Sequence, residues 1–223
     1  MNPVLLSFGV GAAATLTSLA PALAVSWVLE RSRLPGRGAL HTLVLMPLVL
    51  PPVVTGYLLL WLFSPLGALG RTLAALGLPV AFHWLGAVAA AAVVGFPLLV
   101  MQITLAMKAV DPRLELLSRS LGRTPWETFQ RVTLPLCWPG ILAGATLSFA
   151  RGLGEFGATI ILAGRIPGQT ETIPLAIYAE LDAPGGERRI LGLVGASVLI
   201  CLASVLLFRT LDAWHRKRLE LER

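Results

Sequence analysis

Charged side chains are scarce in this sequence. Only 13% of its 223 residues are Asp, Glu, Lys or Arg, and 56% are hydrophobic, whereas a soluble domain usually has about 25% charged residues. This balance excludes an ordinary soluble domain. Because a chain in lipid must satisfy its own backbone hydrogen bonds, apolar runs of this kind favour helices. The composition therefore predicts an all-α membrane protein.

Motifs for catalysis, nucleotide binding and metal binding are also missing. The sequence has two lysines, and neither follows the glycine-rich loop that cradles phosphates. Its three histidines are scattered, without the H-E-x-x-H spacing of zinc proteases. Cys137 and Cys201 stand in apolar runs and have neither metal-ligand nor disulfide spacing. We therefore expect no metal site, no cofactor and no catalytic residue in this chain, so ATP-driven work would need a partner that binds the nucleotide.

Five apolar runs are long enough to cross a bilayer, which takes about 20 helical residues. They lie at residues 4–29, 42–63, 85–107, 138–162 and 190–208. A shorter run at 173–181 contains Glu180 and favours a surface or re-entrant segment. No repeat or linker divides the sequence, so we expect a single transmembrane domain over residues 1–223.

Basic residues are distributed unevenly among the connections. The segments 30–41, 108–133 and 209–223 hold 3, 5 and 5 of them, whereas the segments 64–84 and 164–189 hold 1 and 3. The positive-inside rule places the richer group in the cytoplasm. Five spans then put the N-terminus outside and the C-terminus in the cytoplasm. The same bias accounts for the net charge of +6, so we expect membrane lipid around the chain and no nucleic acid.

A polar, basic segment at about 108–135 separates the third and fourth runs. Asp111 is suited to the N-cap of a helix, and Gly122 is suited to its end. Thr124 and Glu127 have the spacing of a capping box that starts a second helix. The predicted helices are 112–121 and 125–132. We expect this bent pair on the cytoplasmic side, where it either docks a partner or lies on the membrane as an amphipathic connector.

The spacing from Gly122 to V-T-L-P at 132–135 resembles the Glu-Ala-Ala loop of importer-type ABC permeases, G-x9-I-x-L-P, with Val132 in place of Ile. The acidic residue of that family falls on Leu116 here, and Glu115 lies one position earlier. The resemblance implies that this loop is the coupling helix, which sits in a groove of the ATPase subunit. The residues that it assigns to this coupling are Glu115, Gly122, Trp126, Glu127, Phe129, Arg131, Leu134 and Pro135.

Further stretches narrow the resemblance to molybdate permeases. Residues 45–57, L-M-P-L-V-L-P-P-V-V-T-G-Y, resemble the second-span motif of that family. Residues 149–158, F-A-R-G-L-G-E-F-G-A, are similar to a fourth-span signature that molybdate and sulfate permeases share. Residues 166–174 and 184–187 resemble their last outer loop. The P-P-V-V-x-G-Y run favours molybdate over sulfate.

The resemblance implies an importer-type ABC permease fold and transport of molybdate. It also implies a homodimer around one path, two ABC ATPase subunits that bind ATP and Mg²⁺, an outer oxyanion-binding protein, and the cytoplasmic (inner) membrane of a bacterium or archaeon. Alternatives that stay open are a tungstate or sulfate/thiosulfate permease, a membrane-embedded enzyme that uses Glu155, and a membrane scaffold without transport. The lack of a second convergent acid, base or metal set counts against the enzyme.

Arg151 and Glu155 are ionisable residues inside the fourth run. Their spacing of four places them on one helix face, and each would cost about 2.5–3.5 kcal/mol at the bilayer centre if it were unpaired. We therefore expect the pair to face the bundle interior. It is either a buried pair that fixes helix packing, or it presents an arginine that attracts a dianion from a cavity.

Pro51 and Pro52 interrupt the second run. Neither can donate a backbone hydrogen bond, so the helix should break near its middle, and such backbone is tolerated only inside protein or beside water. The break is either a packing kink or the start of a half-helix whose free amides turn toward an anion or a gate. Thr55 offers a hydroxyl to the same path. The candidates for the path or gate are Pro51, Pro52, Thr55, Arg151 and Glu155.

Overall fold

The computed structural model describes residues 2–32, 34–67, 69–181 and 183–221. Within these residues all regular secondary structure is helical, as the composition predicts. The helices in chain order are α1 Pro3–Arg31, α2 Arg37–Val49, α3 Pro52–Phe63, α4 Gly70–Ala75, α5 Trp84–Ala109, α6 Pro112–Ser120, α7 Pro125–Thr128, α8 Leu134–Leu153, α9 Gly157–Leu162, α10 Ile173–Glu180 and α11 Glu187–Leu221. A π-helical turn, Phe129–Thr133, joins α7 to α8.

Helix α1 is fixed at both ends by local caps. Asn2 Oδ1 accepts a hydrogen bond from Val4 N at 2.9 Å, and Pro3 occupies the first position, where its missing N–H has no helical partner to lose. At the other end, Ser32 Oγ donates to Val28 O at 2.6 Å. The first apolar run is therefore one continuous helix that is long enough to cross a bilayer, as predicted.

Helices α1, α5 and α8 form the core of the bundle. Their buried side chains meet in one cluster that includes Ala22, Ile103 and Ile141. Small residues let the backbones approach closely, since a Cβ atom at Gly152 would lie only 3.3 Å from Cβ of Ala91. Crossings of this kind are typical of membrane bundles, in which van der Waals packing holds the helices together.

Helices α1 and α5 run parallel. At one end of the bundle, which we call the Leu6 end, Leu6 and Val10 pack against Ala87. At the other end, which we call the Arg31 end, Arg31 Nη2 donates to Met107 O at 2.8 Å. The chain must therefore return from the Arg31 end to the Leu6 end between α1 and α5.

This return is made by α2 and α3, which meet at an angle of 113°. Helix α2 ends at Val49 and α3 begins at Pro52, so the break that Pro51 and Pro52 predict is confirmed. Val44 of α2 lies in the core cluster toward the Arg31 end, and Leu59 of α3 packs against the first half of α5. The bent pair therefore acts as one broken span. Together with the four long helices, it provides the five crossings predicted from the sequence.

The fourth apolar run is not the single helix that its length predicts. Helix α8 begins at Leu134 and ends at Leu153, and the chain turns before it resumes as α9 at Gly157. The prediction of one continuous span over this run is therefore wrong. Helix α8 has Gly154 as its C-cap, and the next residue, Glu155, accepts a hydrogen bond from Ala158 N at 2.8 Å in the first turn of α9.

The sequence predicts that the second helix of the polar segment stops at residue 132. In the structure it continues into α8 instead. Pro135 has no N–H, so the carbonyl of Arg131 lacks its usual α-helical donor. The turn before the proline widens, and Leu134 N donates to Phe129 O, five residues back. Such π-helical turns are rare and often lie at functional sites.

The short apolar run predicted at 173–181 forms α10, which packs into the bundle. Ile173 and Ala176 are buried beside Leu193 of α11, and Ile173 N donates to Ser7 Oγ at 2.7 Å. The alternative of a surface segment is therefore excluded. Helix α11 packs on α10 and α8 and leaves many of its apolar side chains exposed, as a helix that faces lipid or a partner does.

Candidate functional site

The polar segment at 111–135, which we call the bent segment, folds into the predicted helix pair. The side chain of Asp111 caps α6. Gly122 then turns the chain with a φ of +84°, a conformation that costs a residue with a Cβ atom about 1–2 kcal/mol. The capping box forms in full: Thr124 N donates to Glu127 Oε2 at 2.8 Å, and Glu127 N donates to Thr124 Oγ1 at 3.2 Å. The bend predicted at Gly122 is therefore confirmed.

The bent segment exposes an apolar ridge, which comprises Leu114, Leu117, Leu121 and Trp126. Leu117 and Trp126 keep 59% and 64% of their surface accessible, and the other two leucines are exposed as well. Trp126 stacks on Phe129, with the ring centroids 5.5 Å apart. The basic side chains that accompany the ridge on this segment are also exposed: Arg119, Arg123 and Arg131. An apolar centre with a polar rim is typical of a protein interface.

Glu115 faces away from this ridge. The residue is only 8% exposed, and its Oε1 atom accepts hydrogen bonds from Arg31 Nε at 3.1 Å and from Thr133 Oγ1 at 2.8 Å. Arg31 also donates to Met107 O. These contacts define the Glu115 cluster, which comprises Arg31, Glu115 and Thr133 and joins α6 to α1, α5 and the π-helical turn. Sequence reasoning assigns Glu115 to the ATPase contact, whereas the structure buries its carboxylate within the chain.

The other residues predicted for this contact divide by exposure. Trp126 and Arg131 are exposed, and Glu127 is half-buried in its capping box. Phe129 and Leu134 are half-buried and pack against the core cluster of α1, α5 and α8. The outer part of the bent segment therefore presents side chains to a partner, while its inner part anchors the segment to the bundle.

Arg151 and Glu155 form the ion pair that their spacing predicts. Arg151 Nη1 donates to Glu155 Oε2 at 2.7 Å. Glu155 is 2% exposed, while 32% of the Arg151 side chain is accessible. The prediction of one shared helix face is wrong, because α8 ends at Leu153, between the two residues. Arg151 lies in the last turn of α8, where the helix dipole favours a cation, and Glu155 links it to the first turn of α9 through Ala158 N.

The first turn of α9 packs against the first turns of α3. A Cβ atom at Gly157 would lie 2.8 Å from Cβ of Pro52, and a Cβ atom at Gly56 would lie 2.8 Å from Cα of Ala158. The two breaks of the bundle are therefore adjacent. Thr55 is buried here, and its hydroxyl has no partner among the described residues. The structure thus brings the candidate path residues into one region, which we call the double break: Pro51, Pro52, Thr55, Arg151 and Glu155.

The bent segment and the double break lie at opposite ends of α8. Thr133 immediately precedes this helix and Arg151 lies in its last turn, which corresponds to about 27 Å of helix. Helix α1 spans the same interval, since Arg31 belongs to the Glu115 cluster and the ring of Phe8 lies 5.6 Å from that of Phe149. Two helices therefore connect the two regions.

Sequence reasoning missed two members of the Glu115 cluster. Arg31 contributed only to the count of basic residues, and Thr133 was only a spacer in V-T-L-P. The partners Arg31 and Glu115 are 84 positions apart, and no local pattern indicates that they meet. The one signal in the sequence is that Glu115 is the sole carboxylate within α6.

The acidic and metal-ligating side chains of the described residues bear on the enzyme alternative. Among the described residues no three His, Cys, Asp or Glu side chains are close enough to hold a metal ion. Glu155, which an embedded enzyme would use, has both carboxylate oxygens engaged, one by Arg151 and one by Ala158 N. This arrangement counts against the enzyme alternative.

Residues 19–220 match the family described as "Binding-protein-dependent transport system inner membrane component". The chain is 45% identical over 216 residues to the molybdenum transport system permease protein ModB of Escherichia coli K12, with 96% of this chain and 94% of that protein covered. Identity to ModB of Haemophilus influenzae is 42% over 221 residues, with 99% and 95% covered. The sulfate transport system permease protein CysT of Escherichia coli K12 is 38% identical over 189 residues, which cover 83% of this chain and 66% of that protein.

Solved structures with the same fold are also transporter chains. A chain of the inward-facing MetNI methionine ABC transporter superposes with a TM-score of 0.73 at 16% identity and covers 96% of this chain and 94% of its own. A chain of a bacterial ABC transporter that imports alginate gives a TM-score of 0.68 at 18% identity, with 96% and 78% covered. These likenesses confirm the importer-type ABC permease fold that the sequence predicts.

Proposed function

Because the chain belongs to the family of binding-protein-dependent transport system inner membrane components, we propose that it is the permease subunit of an ABC importer for molybdate. The chain is a transport subunit and not an enzyme, and ATP hydrolysis is the work of a partner chain. Two relatives that carry the name of a molybdenum permease match it over nearly its whole length. The sulfate permease is less similar and matches a smaller share.

The proposed assembly contains two copies of this chain, two ATPase subunits and an extracytoplasmic oxyanion-binding protein. ATP and Mg²⁺ bind to the ATPase subunits, and this chain holds no cofactor. The broken pair α2–α3 supports the homodimer, since it exposes a set of apolar side chains that offers a surface to a second copy: Val49, Val53 and Trp61. The family description itself supports dependence on a binding protein.

The proposed location is the cytoplasmic (inner) membrane of a bacterium or archaeon, with the N-terminus outside and the C-terminus inside. Helices α1 and α5 run in one direction and α8 runs in the other, and the broken pair α2–α3, together with α11, brings the number of crossings to five. This orientation puts the Arg31 end and the bent segment in the cytoplasm. The basic residues of the segments 30–41 and 108–133 then lie on that same side, in agreement with the positive-inside rule.

The observation that carries the coupling role is the two-sided construction of the bent segment. Its outer side exposes the apolar ridge, which fits a groove on an ATPase. Its inner side is bonded to α1 and α5 through Arg31 and to the start of α8 through Thr133. A displacement of docked ATPase subunits would therefore move the ends of three spans, which is what alternating access requires.

In the proposed path, Arg151 attracts the oxyanion at the double break. One guanidinium nitrogen of Arg151 is engaged by Glu155, and the side chain has further N–H donors that remain for an anion. Because Glu155 offsets much of the positive charge, attraction is moderate, which lets an anion leave as well as enter. Thr55 adds a buried hydroxyl without a protein partner among the described residues.

Reconstitution tests the proposal. The chain is placed in proteoliposomes with its ATPase and binding protein, and uptake of radioactive molybdate is measured with and without Mg-ATP. Uptake that requires both ATP and binding protein supports a molybdate importer. If molybdate is not taken up and ATP hydrolysis is not stimulated, the proposal fails.

Competition separates the remaining substrates. Unlabelled tungstate, sulfate and thiosulfate are added in turn to the same vesicles. Among these alternatives sulfate has support from sequence, because the sulfate permease protein CysT of Escherichia coli is 38% identical to this chain. Weaker inhibition by each of them than by an equal concentration of unlabelled molybdate supports the proposed substrate. Stronger inhibition by tungstate would identify a tungstate permease, and stronger inhibition by sulfate or thiosulfate would identify a sulfate permease of the same architecture.

A further inference from the structure

Glu115 lies beneath the bent segment, where an ATPase docked on the apolar ridge would not reach it. We infer that Glu115 is a positioning residue, which transmits movement of the bent segment to α1 and α8 through Arg31 and Thr133 and does not contact the ATPase. This inference rests on the proposed function. It assigns a role to the Glu115 cluster that is distinct from docking.

The contact with Arg31 ties the bent segment to α1. Both Nε and Nη2 of Arg31 lie 3.1 Å from Glu115 Oε1, and Nη2 also donates to Met107 O at 2.8 Å. Arg31 is the last residue of α1, so the end of this helix is bound both to α6 and to the end of α5. The side chains of Arg31 and Glu115 are 17% and 11% accessible, so solvent weakens this pair less than an exposed one.

The contact with Thr133 ties the same carboxylate to α8. Thr133 Oγ1 donates to Glu115 Oε1 at 2.8 Å, and Thr133 is buried. Thr133 closes the π-helical turn and α8 begins at the next residue. One oxygen of Glu115 therefore bonds to the ends of two spans that lead to the double break.

The bent segment does not need Glu115 to hold its own shape. The capping box fixes the start of α7, and Ser118 Oγ lies 3.1 Å from Thr128 Oγ1, a hydrogen bond that joins α6 to α7 directly. Loss of the Glu115 cluster should therefore leave the bent segment folded and able to dock. What it removes is the side-chain connection of α6 to the ends of α1 and α8.

The ends of α1 and α8 that lie farthest from the Glu115 cluster meet near the double break. Phe149 of α8 lies against α1, since a Cβ atom at Gly11 would be 3.1 Å from the Phe149 ring. Arg151 follows two residues later in the same helix. A shift of α1 and α8 that begins at the Glu115 cluster therefore arrives next to the residue proposed to meet the anion.

The test replaces Thr133, because its burial keeps it away from any docked subunit. Thr133→Val removes the hydroxyl and preserves the shape of the side chain, while Thr133→Ser keeps the hydroxyl and is the matched control. Each variant is assembled with the ATPase and binding protein in proteoliposomes, and three quantities are measured: co-purified ATPase, ATP hydrolysis, and molybdate taken up per ATP hydrolysed.

We expect Thr133→Val to co-purify with the ATPase like the wild type, but to take up at least about fivefold less molybdate per ATP hydrolysed. Thr133→Ser should restore most of this ratio. An unchanged ratio in Thr133→Val would overturn the inference, and so would a loss of co-purified ATPase. Failure of the wild type to assemble or transport would instead defeat the proposed function, so the two failures are distinguishable.

A double-mutant cycle tests Arg31 and Glu115 in the same assay. If the two side chains act through their mutual contact, Arg31→Gln and Glu115→Gln should each reduce the transport ratio, and the double variant should reduce it no further than Arg31→Gln alone. Arg31→Gln already removes the shared contact as well as the hydrogen bond to Met107 O. If Glu115 instead contacts the ATPase, Glu115→Gln alone should lower co-purification and the effects should multiply. The second pattern would overturn the inference.

Discussion

Arg151 and Glu155 are joined across the end of a helix. Only 2.7 Å separates Arg151 Nη1 from Glu155 Oε2, and the other oxygen of Glu155 accepts a hydrogen bond from Ala158 N at 2.8 Å. The carboxylate therefore binds the last turn of α8 to the first turn of α9. The ion pair therefore holds α8 and α9 together. Measuring assembly and transport separately shows whether Arg151 also attracts the anion.

We predict that Arg151→Ala assembles poorly, because it leaves Glu155 buried without its cation. Breaking a buried pair on one side costs about 3–5 kcal/mol. Arg151→Ala combined with Glu155→Gln should recover most of the assembled protein, since the amide is neutral and its oxygen can still accept from Ala158 N. Assembly is measured by gel filtration of detergent extracts.

Uptake by the same double variant decides the role of Arg151. We expect at least about a tenfold loss of molybdate uptake in proteoliposomes, which corresponds to 1.4 kcal/mol or more of lost attraction. Uptake at the wild-type level in the assembled double variant would remove Arg151 from the permeation mechanism and leave the pair with a packing role alone.

The contact between α3 and α9 predicts a stability effect. In Gly56→Ala, the new Cβ atom would lie 2.8 Å from Cα and 2.9 Å from O of Ala158. Both are backbone atoms that cannot rotate away, so the helices must separate, at a cost of about 1–3 kcal/mol. Thermal unfolding in detergent should therefore begin at a lower temperature.

Gly192→Ala is the matched control for this change. Gly192 lies in α11, and a Cβ atom there meets nothing within 4 Å. Alanine is favoured over glycine inside a helix by about 0.5–1 kcal/mol, so the unfolding temperature should stay the same or rise. If Gly56→Ala and Gly192→Ala unfold alike, the close contact at the double break is not present in the membrane protein.

Local signals in the sequence are sufficient to predict the helix caps and the break at Pro51 and Pro52. Asp111, Gly122 and the Thr124–Glu127 box act through neighbours within three residues, and each one forms as predicted. The prolines at 51 and 52 break a helix by their own chemistry, whatever surrounds them. Features of this kind can be predicted without tertiary information.

Two features of the candidate sites depend on contacts that the sequence does not reveal. The spacing of Arg151 and Glu155 fits one continuous helix equally well, whereas in the structure α8 ends between them and Glu155 bonds to Ala158 N of α9. The orientation of Glu115 is set by Arg31, which is 84 residues away. In both cases the orientation of a carboxylate, that of Glu115 or of Glu155, depends on a hydrogen-bond partner that short-range periodicity cannot identify.

The asymmetry of basic residues predicts how the chain lies in the membrane. An epitope tag on the N-terminus should be digested when protease is added outside sealed, right-side-out vesicles, whereas a tag on the C-terminus should be protected until the vesicles are opened. Five crossings require the two ends to lie on opposite sides. Protection of the N-terminal tag from external protease would contradict the proposed orientation.

Gly122 provides the sharpest test of docking by the bent segment. Its φ is +84° and a Cβ atom there meets nothing within 4 Å, so a substitution acts through backbone strain alone. Valine is strongly disfavoured at positive φ, while asparagine tolerates it. Gly122→Val should therefore redirect α7 and the ridge residue Trp126 and leave the spans intact.

We predict that Gly122→Val reaches the membrane at a normal level but co-purifies with much less ATPase, and that the binding protein no longer stimulates ATP hydrolysis. Gly122→Asn should retain both properties, because it can keep the bend. Loss of a hot-spot contact, which an interface tryptophan often provides, costs about 2 kcal/mol or more, so the complex should dissociate more readily during purification. If both variants retain the ATPase and the stimulation, the ridge on residues 111–135 is not the docking surface, because its direction would then be irrelevant to assembly.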